Sequence, residues 1–264
     1  SGYMPASYQG TVLRSAGDPI LDLKRPDGMS APVQRRLLDT LREYNAEHEA
    51  SRAENSNLAA RIASYELAFR MQVSAAECVN VASEPESVRK LYGLDNPVTQ
   101  AYGMRCLLAR RLIEAGVRFV QVNRGGFDNH MDVFPAMRNH GSVMDPAVAS
   151  LIEDLAASGR LEKTLVIMLS EFGRTPKINK DAGRDHHARV FSCFLAGGGV
   201  KGGQVIGSSD KDGNEPADRP VQVADIHASV CHALGIDFKR ELTTPLGRPM
   251  KLVKEGAKPV MELF

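Results

Sequence analysis

From residue 97 to residue 234 the chain changes period repeatedly. Stretches with an apolar residue at every third or fourth position give way to short runs dense in β-branched and aromatic residues. No other feature narrows the available folds as much, because helices alternating with such runs are the mark of an α/β protein with a parallel sheet. One stripe carries Tyr102, Cys106, Ala109 and Ile113; it opens near Pro97, where the fixed φ of proline suits a first turn, and stops at Gly116. Residues 117–122 then read as a strand. Met144, Val148, Leu151 and Leu155 form the next stripe, ended by Gly159, and residues 164–169 are almost wholly apolar, as a strand buried on both faces should be. A third strand is expected over 190–196, a hairpin arm at 204–207, and a last helix over 223–234 before a tail punctuated by Pro and Gly.

The first part is different. To about Pro32 it is rich in Gly, Pro and Asp, with only short apolar pieces such as Val12-Leu13 and the run from Ile20 to Leu23, which predicts an irregular arm. From Ala31 the period turns helical, first through Leu37, Leu38, Leu41 and Tyr44, then through Leu58, Ile62, Tyr65 and Phe69, giving two long helices or one broken near 51–57. The organisation expected is an arm and long helices over 1–96, packing on an α/β core over 97–264 that carries the site. His48, in a polar stretch, reads as a solvated residue.

Charge and cysteine usage exclude several classes. Thirty-three Lys and Arg against 32 Asp and Glu give 33 − 32 = +1, and no basic face gathers, so there is no electrostatic case for nucleic acid. No apolar run approaches the roughly 20 residues that a membrane-spanning helix needs. Cys78, Cys106, Cys193 and Cys231 are too scattered for a zinc knuckle or redox pair and read as apolar thiols, which leaves the redox compartment open.

The ionisable residues that matter follow the expected strands. In an open α/β sheet, ligands bind beyond the carboxyl ends of the strands, where successive loops meet. The loops after 117–122 and 164–169, the second continuing to 187, place Asp128, His130, Glu171, Arg174, Asp185, His186 and His187 at one edge. Oxygen and imidazole donors from separate loops suit a borderline divalent cation. Arg174, with Arg184 or Arg124, offers the planar fork that grips phosphate, sulfate or carboxylate. Singly, each has a plainer use: Asp128 shapes a turn or caps a helix, Glu171 and Arg174 pair with each other, and the two adjacent histidines are structural. Together they would burden three short stretches of these loops with costly groups for no purpose. His140 reads as a surface residue, and His227 and His232 as packing or interface residues of the last helix, His227 being the outside candidate for a ligand.

The blocks GGFDNH, LSEFGRTPKIN, GRDHHARVFSCFLAGGGVKGGQVIGSSD and DIHASVCHALGID, with YQGT, SYELAFRMQ and CLLARRLIEAGVRFVQV before them, resemble the bacterial family catalogued as domain of unknown function 1501, over nearly the whole chain. That family is placed in the alkaline phosphatase and sulfatase superfamily. The resemblance implies an α/β/α sandwich of the alkaline phosphatase type, metal-assisted hydrolysis of phosphate or sulfate esters, and an exported or periplasmic setting. The family's Gly-Trp-Asp-Thr-His block corresponds to Gly126-Phe127-Asp128-Asn129-His130, with Phe127 in place of Trp. Where superfamily members have Asp-His after a buried strand, this chain has Glu171-Phe172, so one nitrogen ligand is missing or replaced. The usual N-terminal portion, with a Gly-Gly-x-Ser-type loop, does not appear, so the resemblance implies either the carboxyl-terminal part of a longer chain or a part-built site that stands alone.

The expectation is a metal-dependent hydrolase of a small-molecule or glycan sulfate or phosphate ester. Asp128, His130, Asp185 and His186 hold a divalent cation (zinc, manganese or calcium), Glu171 is a further ligand or general base, and Arg174 grips the anion. The alternative is an anion- or carbohydrate-binding accessory protein that keeps the fold without turnover. The oligomeric state is left open.

Overall fold

The computed structural model describes residues 10–14, 20, 25–52, 58, 61–63, 65–67, 69, 72, 77–244 and 247–264. Most of the expected N-terminal arm, Leu21 and Leu23 included, lies outside them. The chain divides into two compact units: the described residues up to Val88 together with Leu107–Gln121, and Arg89–Cys106 together with Val122–Phe264.

In the first unit, helix α1 (Ala31–Ala50) has Pro32 in its first turn and carries the expected stripe, yet none of its residues is buried; Leu37 and Tyr44 are 48% and 68% exposed. Every described residue from Leu58 to Cys78 is helical, as the second stripe predicts, apart from its close near Val79. Arg35 joins the two helical segments by donating from both terminal nitrogens to the Glu66 carboxylate, at 2.9 and 2.6 Å, while lying 4.9 Å from the Phe69 ring centre. The polar centre of this unit is Glu84, which takes Arg110 at 2.7 Å and also pairs with Arg111; Arg110 in turn reaches Glu114 at 2.5 Å.

Helix α2 (Glu86–Leu91) precedes a turn, and helix α3 (Gln100–Glu114) follows it, starting three residues later than Pro97 suggested and stopping before Gly116, whose φ is +88°. In the second unit, Tyr92 is 1% exposed and donates its hydroxyl to Asp154 at 2.9 Å, and Ser150 Oγ donates to Leu91 O at 2.6 Å. Both acceptor and donor belong to helix α4 (Val133–Ala157), which buries Val133, His140, Val143, Ala147, Ser150 and Leu155. Helix α5 (Val223–Ala233) opens with a reciprocal cap between Gln222 and Asp225. Its Ser229 hydroxyl accepts from Val260 N at 2.8 Å, which ties down the C-terminal tail.

The strands support a mixed α/β fold without giving the expected parallel sheet among the described residues. Eight short strands, β1 (Val166–Met168), β2 (Gly173–Arg174), β3 (His186–His187), β4 (Phe194–Ala196), β5 (Ser208–Ser209), β6 (Pro216–Asp218), β7 (Glu241–Thr243) and β8 (Pro249–Lys251), are assigned among the described residues. They form four separate antiparallel pairs, β1–β4, β2–β3, β5–β6 and β7–β8. The fold is therefore mixed α/β, and no large parallel sheet is evident among the described residues. Residues 117–122, expected as a strand, belong to no strand among the described residues, and Phe119 is 73% exposed. An apolar β-rich run forms a strand only where a neighbouring backbone supplies its ladder. The 164–169 run is not covered on both faces either: Met168 is 45% and Leu169 62% exposed. The hairpin arm lies slightly later than expected, between β5 and β6.

The four cysteines are free, and burial pushes the Cys106 thiol up to about 12, so it stays protonated and inert. No helix among the described residues is long and apolar enough to cross a membrane.

Candidate metal centre

The site is assembled by two loops zipped together and one minimal strand pair. Strand β2 faces β3 with Arg174 opposite His186 and Gly173 opposite His187. Directly opposed residues of an antiparallel pair project to the same side, so Arg174 and His186 emerge side by side. Gly173 is required there, since a Cβ would run into the carbonyl oxygen of Val190.

Asp128 and His130 come from the loop before α4. A backbone bridge joins Met131 to Ala182, Asp132 N and Val133 N donate to the carbonyls of Asp181 and Ala182, and Arg184 N donates to Asn129 O. Gly183 makes this seam possible, because a side chain would occupy the His130 carbonyl. Asn179 locks it. Its Nδ2 donates to His130 O at 3.0 Å and to Asp185 Oδ1 at 3.2 Å, while its Oδ1 accepts from Asp181 N and Gly183 N. All four hydrogen-bonding positions of the amide are used.

Beneath the loop sits His140, which the sequence placed at the surface. It is 8% exposed, its Nε2 lies 2.7 Å from Gly126 O, and its ring stacks on Phe127 with centroids 4.1 Å apart. Arg124 donates to its Nδ1 side at 3.3 Å. This residue and Asn179 were missed in the sequence. His140 shares the buried face of Val143, Ala147 and Ser150, one position away from the stripe of Met144, Val148 and Leu151 read in the sequence.

The result is a tight cluster. Asp128 Oδ1 lies 3.1 Å from His130 Nε2, 2.8 Å from His186 Nε2 and 2.8 Å from Arg174 Nη1. Asp128, His130 and His186 each present one donor atom within 4.8 Å of the others, a triad able to hold a metal ion. Donors about 2.0–2.1 Å from a tetrahedral cation stand about 3.3 Å apart, so these spacings accept an ion after small side-chain movements. Asp185 approaches from behind, 2.9 Å from His130 Nδ1. Glu171 is outside the triad; its carboxylate lies 3.9 Å from Arg174. Phe172 lies against the His186 ring, 4.6 Å between centroids. His187 faces elsewhere, with Nε2 2.9 Å from Asn214 O, and His227 is exposed on α5.

Hydrogen bonds from His186 and then Arg174 hold the Asp128 carboxyl down to about 2, and His130 followed by Asn179 lowers that of Asp185. Both are anionic at neutral pH. The triad side chains remain 67%, 45% and 51% exposed for Asp128, His130 and His186, so a solute can reach them.

The chain matches, over residues 1–264, the model of a family described as protein of unknown function DUF1501. No curated protein and no solved structure matches it.

Proposed function

Taking as premise that the chain belongs to the DUF1501 family, we propose that it is a metal-dependent hydrolase of sulfate or phosphate esters, small-molecule or glycan. The observation that carries the reading is the convergence of two imidazole nitrogens and one carboxylate oxygen beside an arginine fork, at an edge open to solvent. Either part has ordinary uses; side by side they match the two needs of ester hydrolysis, a Lewis acid and a counter-charge for the anion. When bound, a divalent cation of the zinc or manganese class would polarise the ester and lower the pKa of a water molecule.

The protein's own groups supply the rest. His130, His186 and Asp128 hold the ion, Arg174 turns its fork from Asp128 to the anionic group, and the Phe172 ring keeps His186 facing inward. Glu171, loosely held by Arg174, would accept a proton from water. The alkaline phosphatase-like sandwich and an exported setting belong to the same proposal.

The second reading, an accessory protein that binds anions without turnover, draws support from Phe172, an apolar ring where a further ligand is expected. Elemental analysis of the purified chain after equilibration with zinc or manganese, with a screen of aryl sulfates and phosphates, separates the two. Bound metal and turnover lost in His130→Ala are the expected outcome. Metal-free protein with saturable sulfate binding would establish the second reading instead.

A further inference from the structure

We infer that Asp185 is not a ligand of the cation but the positioning partner of His130, and that the site is a mononuclear one of two imidazoles and one carboxylate, selective for zinc-like ions over calcium. This rests on the proposed metal site and deepens it. Imidazole has two nitrogens with separate tasks. The Nδ1 of His130 is 2.9 Å from Asp185 Oδ1, and its Nε2 is the atom that joins the triad. A proton on Nδ1, shared with the Asp185 carboxylate, leaves the Nε2 lone pair free and fixes the ring.

Asp185 is itself built in. Its backbone N donates to Thr175 Oγ1 at 3.1 Å, its carbonyl accepts from Thr175 N at 2.9 Å, and Asn179 donates to the same carboxylate oxygen that meets His130. Since Asn179 also donates to His130 O, one amide sets both the backbone and the ring partner of that histidine. Asp185 therefore stands on the far side of the imidazole from the donor triad. With Asp185 so occupied, the triad offers one carboxylate and two nitrogens. Calcium requires six to eight oxygen ligands, whereas zinc accepts this set with an open position for water or an ester oxygen.

The test uses the whole chain. Zinc affinity is measured by competition with a chromophoric chelator, cobalt(II) absorption reports the ligand set, and long-range proton–nitrogen correlation reads the His130 tautomer without metal. Asp185→Ala is expected to weaken zinc about 10- to 100-fold while leaving the cobalt spectrum of the saturated protein unchanged. Asp185→Glu should restore part of the loss, and in Asp185→Ala the Nδ1-protonated tautomer should cease to dominate. His186→Ala, a ligand change, should alter the cobalt spectrum. A changed cobalt spectrum in Asp185→Ala, zinc affinity within twofold of the parent, or calcium bound as tightly as zinc would overturn the inference. If the parent chain binds neither zinc nor cobalt, the proposed metal site falls and this role of Asp185 with it. Matching circular dichroism melts of parent and variants separate all of these from misfolding.

Discussion

Three nitrogens crowd Asp128 Oδ1: the Nε2 atoms of His130 and His186, and the Nη1 of Arg174, which donates to it. A cation entering the triad must compete with the guanidinium for that oxygen. Arg174→Gln should therefore tighten zinc while weakening the hold on a sulfate or phosphate group. Since the Asp128 side chain is 67% exposed, the pair is worth at most about 1 kcal/mol, so the gain in zinc affinity should be no more than about fivefold. Chelator competition and sulfate titration check the opposite signs. Gly126 makes a second case. Its φ is +94°, and a Cβ would lie 3.1 Å from His140 Cε1. Left-handed backbone costs a non-glycine residue about 1–2 kcal/mol before that contact is counted, so Gly126→Ala should lower stability by at least about that much in chemical denaturation. It should also weaken zinc binding, because the strain falls two residues before Asp128. At this scale the site was largely legible: Asp128, His130, Arg174, Asp185 and His186 were chosen as scarce ionisable groups in successive loops, and they meet. His140 was not, because a lone histidine in a polar stretch resembles a surface residue until its burial against Gly126 and Phe127 is seen.

Helices were easier to read than strands, for a physical reason. A helix satisfies its own backbone, so the stripe of Tyr102, Cys106 and Ala109 is sufficient to place α3, and those three residues are buried as expected. A strand depends on a partner the sequence does not name, and an apolar run such as 164–169 looks the same whether it lies inside a parallel sheet or pairs once, as β1 does with β4. Helix α3 also offers a prediction in which two effects oppose each other. Replacing a helical glycine with alanine ordinarily gains about 1 kcal/mol. At Gly103 the new Cβ would intrude on the backbone carbonyl of Tyr92, which is 1% exposed and anchored through its hydroxyl to Asp154. With no room to yield, overpacking costs about 1–3 kcal/mol or more and wins. Gly103→Ala should lower the urea midpoint with helix content retained, whereas Gly116→Ala, beyond the end of α3 with open space around its missing Cβ, should suffer only from its φ of +88°.

The response of the whole chain to pH turns on charges away from the metal centre. Glu84, whose side chain is 8% exposed, is pushed up by burial, but the hydrogen bonds from Arg110 and Arg111 outweigh that, and its carboxyl ends below the ordinary value of 4.5. A carboxyl held lower in the folded chain than in the unfolded one adds stability above the unfolded value and gives it up as pH falls through the folded one. Asp128, Asp185 and Glu262 are also lowered, Glu262 to about 2 by Arg219, but they are exposed and screened, so they add little to the same slope. Acid unfolding should thus be governed by the Glu84 cluster. Glu84→Gln leaves Arg110 with Glu114 as its acidic partner in this cluster and should cost about 3 kcal/mol at neutral pH, the penalty typical of breaking a buried pair. On acidification the parent should lose what the variant has already lost, so their melting temperatures should converge below the ordinary carboxylate range. A gap that stayed constant into strong acid would show that the cluster contributes by packing alone, through the stems of Arg110 and Arg111, and that the acid sensitivity of the chain arises elsewhere.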